Sequence, residues 1–437
     1  MPRYTILGLA RSGIAAAYKL KELGYSPFLS ESKPASKIEN YQQLEQDFCC
    51  EFGGHSTAAL DCEIMVVSPG IPDIPLLQTA KEQGIELISE IELGFRLKAS
   101  DSKIIAVTGS NGKSTTVSLI NYIFQQAGFN TILAGNIGQA FTSFPIQKPG
   151  IDFIILELSS FQLELIQSFR PDLAILLNIT PDHLDRYQSF AHYAQTKFKI
   201  FQNQAAPDLA IINLDDPEVT SRANHIAASK ATFSLCRAAN IFADADNIIL
   251  KNEKYALDQL SLRGPHNVAN SLAAILAADY FAISSATIRA SLSTFSALPH
   301  RLEFVQTIDK IDFVNDSKAT NTDSVKYALQ SFSQPLRLIM GGRGKGEDYS
   351  VLKPFLAQHV SKIYLIGEAA EEMAEAFSDI CPIQKCSDLA NAVKAAFQQA
   401  EAGETVLLSP ACTSYDMYKN FELRGEDFKQ IVRKLSS

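Results

Sequence analysis

The sequence predicts three consecutive α/β units. At 437 residues the chain exceeds what one hydrophobic core organises. Strand-like apolar runs alternate with helix-like segments along most of its length, the pattern of parallel sheets covered by helices. Many of the apolar runs end in small or polar residues, and open α/β sheets bind their ligands beyond the carboxyl ends of the strands. The expected units are residues 1–91, 92–297 and 298–437.

In the first unit "YTILGLA" reads as a strand, "SGIAAAYKLKELG" as a helix, and "SPFLSES", "CEIMVVSPGI" and "IELIS" as further strands. The pattern changes near residue 92, where "IELGFRLKASDSK" reads as a helix and a polar connection. The second unit has four strand candidates with apolar cores: "KIIAVTG", "DFIILELSS", "DLAILLNIT" and "LAIINLDD". A long polar region follows. Then "NVANSLAAILAADYFAI" reads as an amphipathic or buried helix, and the proline of "SALPHRLEFV" marks a connection. In the third unit "IDFVNDS", "LRLIMGG", "KIYLIGE" and "TVLLSPA" are strands, with helices such as "DLANAVKAAFQQAEAG" between them.

Composition narrows the functional classes. An apolar fraction of 46% and a charged fraction of 20% suit a soluble globular protein. No apolar run reaches the ~18 residues of a membrane span. The opening "MPRYTILGLARSG" enters a strand-and-turn pattern rather than a secretion signal, so a cytoplasmic protein is expected. The seven cysteines form no CxxC pair, which favours reduced structural thiols over a zinc or redox centre. A formal charge of −9 argues against broad nucleic-acid or anionic-membrane binding and leaves room for a local basic pocket.

The stretch "IIAVTGSNGKSTT" places only Ser110 and Asn111 between Gly109 and Gly112, whereas the usual phosphate loop has four residues between its glycines. A strand ending at Gly109 and a helix starting near Ser114 would aim backbone N–H groups and a positive helix end at phosphate. Lys113 would add charge and the Ser114 hydroxyl could hold Mg²⁺. A plain Gly-rich turn is the alternative. Glu157, in "ILELSSFQ", ends the next strand, where its carboxylate is either an oxygen ligand for Mg²⁺ or a solvated strand-end charge. "NITPDHLDRY" sets Asp182, His183 and Asp185 past another strand without zinc spacing. Lys197, in "QTKFKIF", reads on its own as a solvated helical lysine.

The amino-terminal "ILGLARSG" is like a dinucleotide fingerprint, with Gly8 and Gly13 in place but Ala10 where a middle glycine lets pyrophosphate approach. That weakens a nicotinamide reading and leaves another diphosphate ligand open. Glu31 follows the second strand, either to recognise a ribose or as an exposed loop acid. In the last unit "VNDSKATN" and "MGGRGKGEDY" gather Asp316, Lys318, Thr320, Arg343 and Lys345 after strands, and "LLSPACTSYDMYKNFELRG" adds Ser414 and Phe421. These groups suit a nucleotide or a carboxylate, or they are ordinary polar loops.

Together "TGSNGKST", the "HNVAN" segment, "ELSSFQLE", "TPDHLDRY", "LPHRLE", "NDSKATN" and "SPACTSYDMYKNFELRG" resemble the Mur ligases of bacterial peptidoglycan synthesis, in their D-glutamate-adding branch, over essentially the whole chain. The resemblance implies a Rossmann-like amino-terminal domain, a central P-loop ATPase-like domain and a Rossmann-like carboxy-terminal domain. It implies ligation of D-glutamate to UDP-N-acetylmuramoyl-L-alanine through an acyl phosphate, driven by ATP with two Mg²⁺ ions. The expected enzyme is a cytoplasmic monomer that takes small-molecule substrates and has no nucleic-acid or membrane partner.

By the same resemblance, Gly109, Ser110, Asn111, Gly112, Lys113, Ser114 and Thr115 hold ATP together with Asn267, Asn270, Arg301 and Asp316. The metal falls to Ser114, Glu157, His183 and, if carbamylated, Lys197; Lys113, Glu157, His183 and Lys197 form the catalytic set. Leu9, Ala10, Arg11, Ser12, Ser32, Lys33, Asn136, Ser159 and His183 face the UDP substrate. Lys318, Thr320, Lys345, Ser414 and Phe421 take D-glutamate, whose two carboxylates require cationic and hydroxyl partners. Arg343 stands where relatives can carry an acid.

Overall fold

In the computed structural model, residues 2–435 are described apart from residues 39, 183–185, 263, 297–298 and 333. Three sheets run along the chain in sequence order. The first contains β1 (Tyr4–Leu7), β2 (Phe28–Glu31), β3 (Cys49–Phe52), β4 (Ile64–Val67) and β5 (Glu86–Ile88), ordered β3-β2-β1-β4-β5 and parallel throughout. Successive strand residues point to opposite faces. Ile6, Leu29, Val66 and Ile88 therefore build one core, while Leu7, Met65, Val67 and Leu87 build another.

The second sheet comprises β6 (Lys103–Thr108), β7 (Thr131–Gly135), β8 (Phe153–Glu157), β9 (Leu173–Leu176), β10 (Leu209–Asn213), β11 (Ser229–Ser234), β12 (Ile241–Ala243), β13 (Asn247–Leu250) and β14 (Glu253–Ala256). Their order is β14-β13-β12-β11-β10-β9-β6-β8-β7. The four strands legible in the sequence are β6, β8, β9 and β10, which stand side by side in the interior. Burial on both faces makes them nearly continuous apolar runs. The region expected to be long and polar instead supplies β11 to β14. These strands are short and partly exposed, so their apolar signal is diluted.

The third sheet comprises β15 (Glu303–Ile308), β16 (Ile311–Asn315), β17 (Leu336–Gly341), β18 (Val360–Ile366), β19 (Ile383–Lys385) and β20 (Thr405–Leu408), ordered β15-β16-β20-β17-β18-β19. The stretch read as a connection contains the start of β15, which pairs antiparallel with β16. Asp309 and Lys310 form the two-residue turn with φ of 50° and 65°, the left-handed conformation that matches hairpin twist.

The chain forms two compact units. Met1–Ile179, Arg186–Tyr255 and Asn270–Ser291 make the first, and Thr180–Asp185, Ala256–Ala269 and Leu292–Ser437 make the second. Within the first, the helix Glu90–Leu97 joins the sheet of β1 to that of β6. Ser89 caps this helix by accepting from Glu92 N–H. The Glu92 carboxylate, wholly buried, accepts from the N–H groups of Gln167, Ser168 and Phe169 and from Arg96. Burial alone would raise its pKa, but the Ser168 hydroxyl and these donors hold it below the usual value. Glu90 accepts from Thr142 N–H and hydroxyl on one oxygen, while the other has no partner among the described residues. Burial pushes this carboxyl up to about 7.

Candidate active site

The loop after β6 is shaped by its glycines and by the end of β9, the strand beside β6 in the sheet. Gly112 has φ 84° and precedes the helix Lys113–Gln126, and a Cβ there would stand 2.3 Å from Asn270 Oδ1. Both backbone conformation and space demand glycine. Gly112 brings no capping side chain, so the helix start presents backbone donors and its positive end at the loop. Asn178, just past β9, clamps the loop: its Oδ1 accepts from Asn111 N–H at 2.8 Å, and its Nδ2 donates to Asn111 O at 3.1 Å.

Two ammonium groups converge on one loop carbonyl. Lys113 Nζ donates to Gly109 O at 2.8 Å and to Ser110 O at 2.7 Å; Lys197 Nζ donates to Gly109 O at 2.9 Å. Lys197 is only 2% exposed and lies 4.7 Å from the centre of the Tyr193 ring. It is therefore not the solvated helical lysine that its sequence context suggests. The Ser110 hydroxyl lies 3.0 Å from Tyr193 Oη.

Glu157 is the last residue of β8 and is opposite Val107 of β6, so its strand end adjoins the loop strand. It is 1% exposed and accepts from Asn136 Nδ2 at 2.7 Å, while Asn136 N–H donates to Glu157 O. The solvated-charge alternative falls here. Asn270 accepts from Thr116 and packs against Gly112, which brings the helix Pro265–Tyr280 to the loop. Ser159 serves as the N-cap of Ser160–Leu163 in a capping box with Gln162. His183 lies outside the described residues.

The donor set can be tested for Mg²⁺. Ser114 and Glu157 offer a hydroxyl and a carboxylate, the hard oxygen donors such a cation takes, whereas an ammonium does not ligate. The described residues hold no cluster of three or more His, Cys, Asp or Glu placed for a metal. The chemistry fits a cation bound by one carboxylate and completed by substrate oxygens.

The loop after β1 is built differently. Gly8 N–H donates to Ser30 O, and Ser68 Oγ donates to Gly8 O at 2.7 Å. A Cβ on Gly13 would stand 2.0 Å from Gly8 O, so the helix Arg11–Glu22 requires glycine to approach the loop. Glu31 is not an exposed loop acid. At 7% exposure it accepts from Leu9 N–H at 2.7 Å, Lys33 N–H at 2.9 Å and Ser32 Oγ at 3.2 Å. Arg11 donates to Gly138 O, and Arg186 donates to Ile71 O.

In the second unit, Asp316 follows β16 and is buried. Ser409 Oγ donates to it at 2.8 Å and Leu302 N–H at 3.2 Å, yet burial pushes the carboxyl up to about 7. Lys318 Nζ lies 3.8 Å from the Phe421 ring centre, a cation–π contact between two of the residues assigned to the amino acid. Lys345 pairs with Asp182 at 3.5 Å, and Arg343 pairs with exposed Glu368. Ser414 is 2% exposed and its carbonyl accepts from Tyr418 N–H. Thr320 is part-buried. His266, next to Asn267, is pushed down to about 4 by burial and then by Arg301.

Arg424 was missed in the sequence. It is wholly buried and donates to Ser317 Oγ and to the carbonyls of Ser317 and Cys412, with longer contacts to Gly341 O and Thr413 O. It ties together the ends of β16, β17 and β20, and burial lowers its pKa to about 10. No local pattern in the sequence distinguishes it from a surface helix arginine.

Comparison with known proteins covers the whole chain. Residues 2–89 match the Mur ligase MurD-like N-terminal domain, 107–278 the Mur ligase middle domain and 300–412 the Mur ligase glutamate ligase domain. The chain is 40% identical over 452 residues to the UDP-N-acetylmuramoylalanine--D-glutamate ligase of Salinibacter ruber, covering 99% of this chain and 98% of the relative. It is 41% identical over 449 residues to the protein of that name from Bacteroides fragilis, covering 100% of each. The solved UDP-N-acetylmuramate-alanine ligase of Thermotoga maritima aligns over 100% of both chains with a TM-score of 0.65 and 16% identity, a likeness of fold.

Proposed function

The chain belongs to the Mur ligase family, in the branch that adds D-glutamate to UDP-N-acetylmuramoyl-L-alanine at the expense of ATP, and from this we propose how its residues divide the reaction. The domains are residues 1–91 for the UDP substrate, 92–297 for ATP and 298–437 for the amino acid and part of ATP. ATP lies along residues 109–115, with Asn267, Asn270, Arg301 and Asp316 completing its site. The substrate carboxylate attacks the γ-phosphorus, which gives an acyl phosphate and ADP. The D-glutamate amine then attacks the acyl carbon; the tetrahedral intermediate expels phosphate and leaves an amide.

Lys113 and the helix start neutralise the negative charge on the phosphate that moves. Mg²⁺, as two ions held by Ser114, Glu157, His183 and carbamylated Lys197, would supply further charge neutralisation. Carbamylation makes Lys197 an oxygen ligand and ends its role as ammonium donor to Gly109 O. Leu9, Ala10, Arg11, Ser12, Ser32 and Lys33 take the uridine diphosphate, while Asn136, Ser159 and His183 face its sugar-peptide end. Lys318, Thr320, Lys345, Ser414 and Phe421 take D-glutamate. The enzyme works as a cytoplasmic monomer on small molecules.

The observation that carries this reading is Lys113 and the uncapped helix start at the Gly109–Gly112 loop, with the buried carboxylate of Glu157 at the end of the neighbouring strand. The test is phosphate release from ATP with Mg²⁺ and UDP-N-acetylmuramoyl-L-alanine, comparing D-glutamate, L-glutamate, meso-diaminopimelate and no amino acid. Release is expected only with D-glutamate, with a product heavier by one glutamate residue. Release with another amino acid would overturn the specificity, and ATP binding without turnover would overturn the ligase reading.

A further inference from the structure

A cluster in the first sheet belongs to none of the groups described above. Ser30 and Glu51 are register partners on β2 and β3. Ser30 Oγ donates to Glu51 Oε1 at 2.5 Å and lies 2.7 Å from His55 Nδ1. Ser30 has a single hydroxyl proton, which goes to the carboxylate. The contact with His55 is then completed by a proton on Nδ1, which fixes the tautomer of the neutral ring. Ser56 N–H donates to the same Glu51 oxygen at 3.0 Å. Burial raises the Glu51 pKa, but the hydrogen bonds from Ser30 and Ser56 outweigh it and keep the carboxylate ionised as an acceptor.

The segment that carries His55 is fastened to the loop after β2. Gly53 N–H donates to Lys33 O at 2.9 Å and Gly54 N–H to Glu31 O at 3.3 Å. Glu31 in turn holds Leu9 N–H and Lys33 N–H, and Ser30 O accepts from Gly8 N–H. The cluster thus lies at the outer end of a continuous chain of hydrogen bonds. The chain runs from the loop after β3, through the loop after β2, to the Gly-rich loop after β1.

We propose that His55 is a positioning residue for the UDP end of the substrate: through Ser30 and Glu51 it fixes the loop after β3 against residues 31–33, and so sets the backbone of Leu9 and Lys33. The inference rests on the assignment of Leu9–Ser12 and Ser32–Lys33 to uridine diphosphate. His55 acts through these loops rather than on the reacting atoms, so its effect falls on one substrate.

The test is steady-state kinetics on the full chain, wild type against His55→Ala and His55→Asn, with thermal melts of all three. The Asn amide nitrogen can take the place of the Nδ1–H donor. His55→Ala is expected to raise KM for UDP-N-acetylmuramoyl-L-alanine about tenfold while leaving kcat and the KM values for ATP and D-glutamate within about twofold. His55→Asn is expected to recover most of that loss. An unchanged KM in His55→Ala would overturn the proposal, as would equal losses for all three substrates that track a lowered melting temperature. Failure of the wild type to turn over the UDP substrate would instead overturn the functional reading on which the proposal stands.

Discussion

The loops after β1 and β6 share one plan, a parallel strand, a Gly-dependent turn and a helix, and differ in charge. After β1 a carboxylate, Glu31, occupies the Leu9 N–H, and the nearby Arg11 donates to the carbonyl of Gly138, in the loop after β7. After β6 the ammonium group of Lys113 lies on the loop carbonyl, at the start of a helix that has no side-chain cap. A carboxylate repels phosphate charge and accepts from hydroxyl or imide donors; ammonium groups favour a cluster of phosphate oxygens. The backbone plan supplies anchoring, while the charges decide which part of a nucleotide each loop suits. On the proposed division of the reaction, the first loop takes the UDP substrate and the second the phosphate that moves.

The largest expected effect tests that division. Lys113→Met should lower kcat/KM for ATP by on the order of 10³, read as phosphate release, and leave KM for the UDP substrate within about twofold. A loss below about tenfold would erase the contrast between the loops. Next, Gly13→Ala would put a Cβ 2.0 Å from Gly8 O and 2.8 Å from Ser68 Oγ. It should destabilise the protein by about 1–3 kcal/mol in urea melts and raise KM for the UDP substrate without changing KM for ATP. A matching rise for ATP would show that the loops are mechanically one.

The smallest effect concerns the helix that joins the two sheets. Glu90 carries a folded-state pKa raised to about 7 from 4.5. Its contribution to stability is therefore complete below about 4.5 and is lost as pH rises to about 7. Glu90→Gln does not titrate. Its melting temperature relative to wild type should rise across that interval by a few degrees and level off above it. A difference that is flat with pH would remove Glu90 from the account of this joint.

Much of the candidate site could be marked out in the sequence because its signals are local. Lys113, Ser114 and Glu157 sit at strand ends that the apolar runs of β6 and β8 disclose within a few residues. What stayed hidden depends on partners far away in the chain. Glu31 gave two readings in the sequence because its organising contact is Leu9, and Lys197 looked solvated because the carbonyl that buries it belongs to Gly109. Asn178 and Arg424 gave no signal, since nothing in their own neighbourhoods indicates which loops they hold. In the fold, the interior strands were legible and β11 to β14 were not, because exposure mixes polar residues into the strand pattern.

Arg424 has a consequence for how this protein can change. The carbonyls of Ser317, Gly341, Cys412 and Thr413 share its one guanidinium, so three segments remote in sequence have a common fastener. An insertion in any of them would displace a carbonyl that the other two rely on. Selection, natural or in the laboratory, is thereby steered away from altering loop length and towards exchanging side chains on a fixed frame. If Thr320 and Lys345 hold the amino acid as proposed, substitutions there are the most accessible route to a new preference, with the inherited backbone left in place.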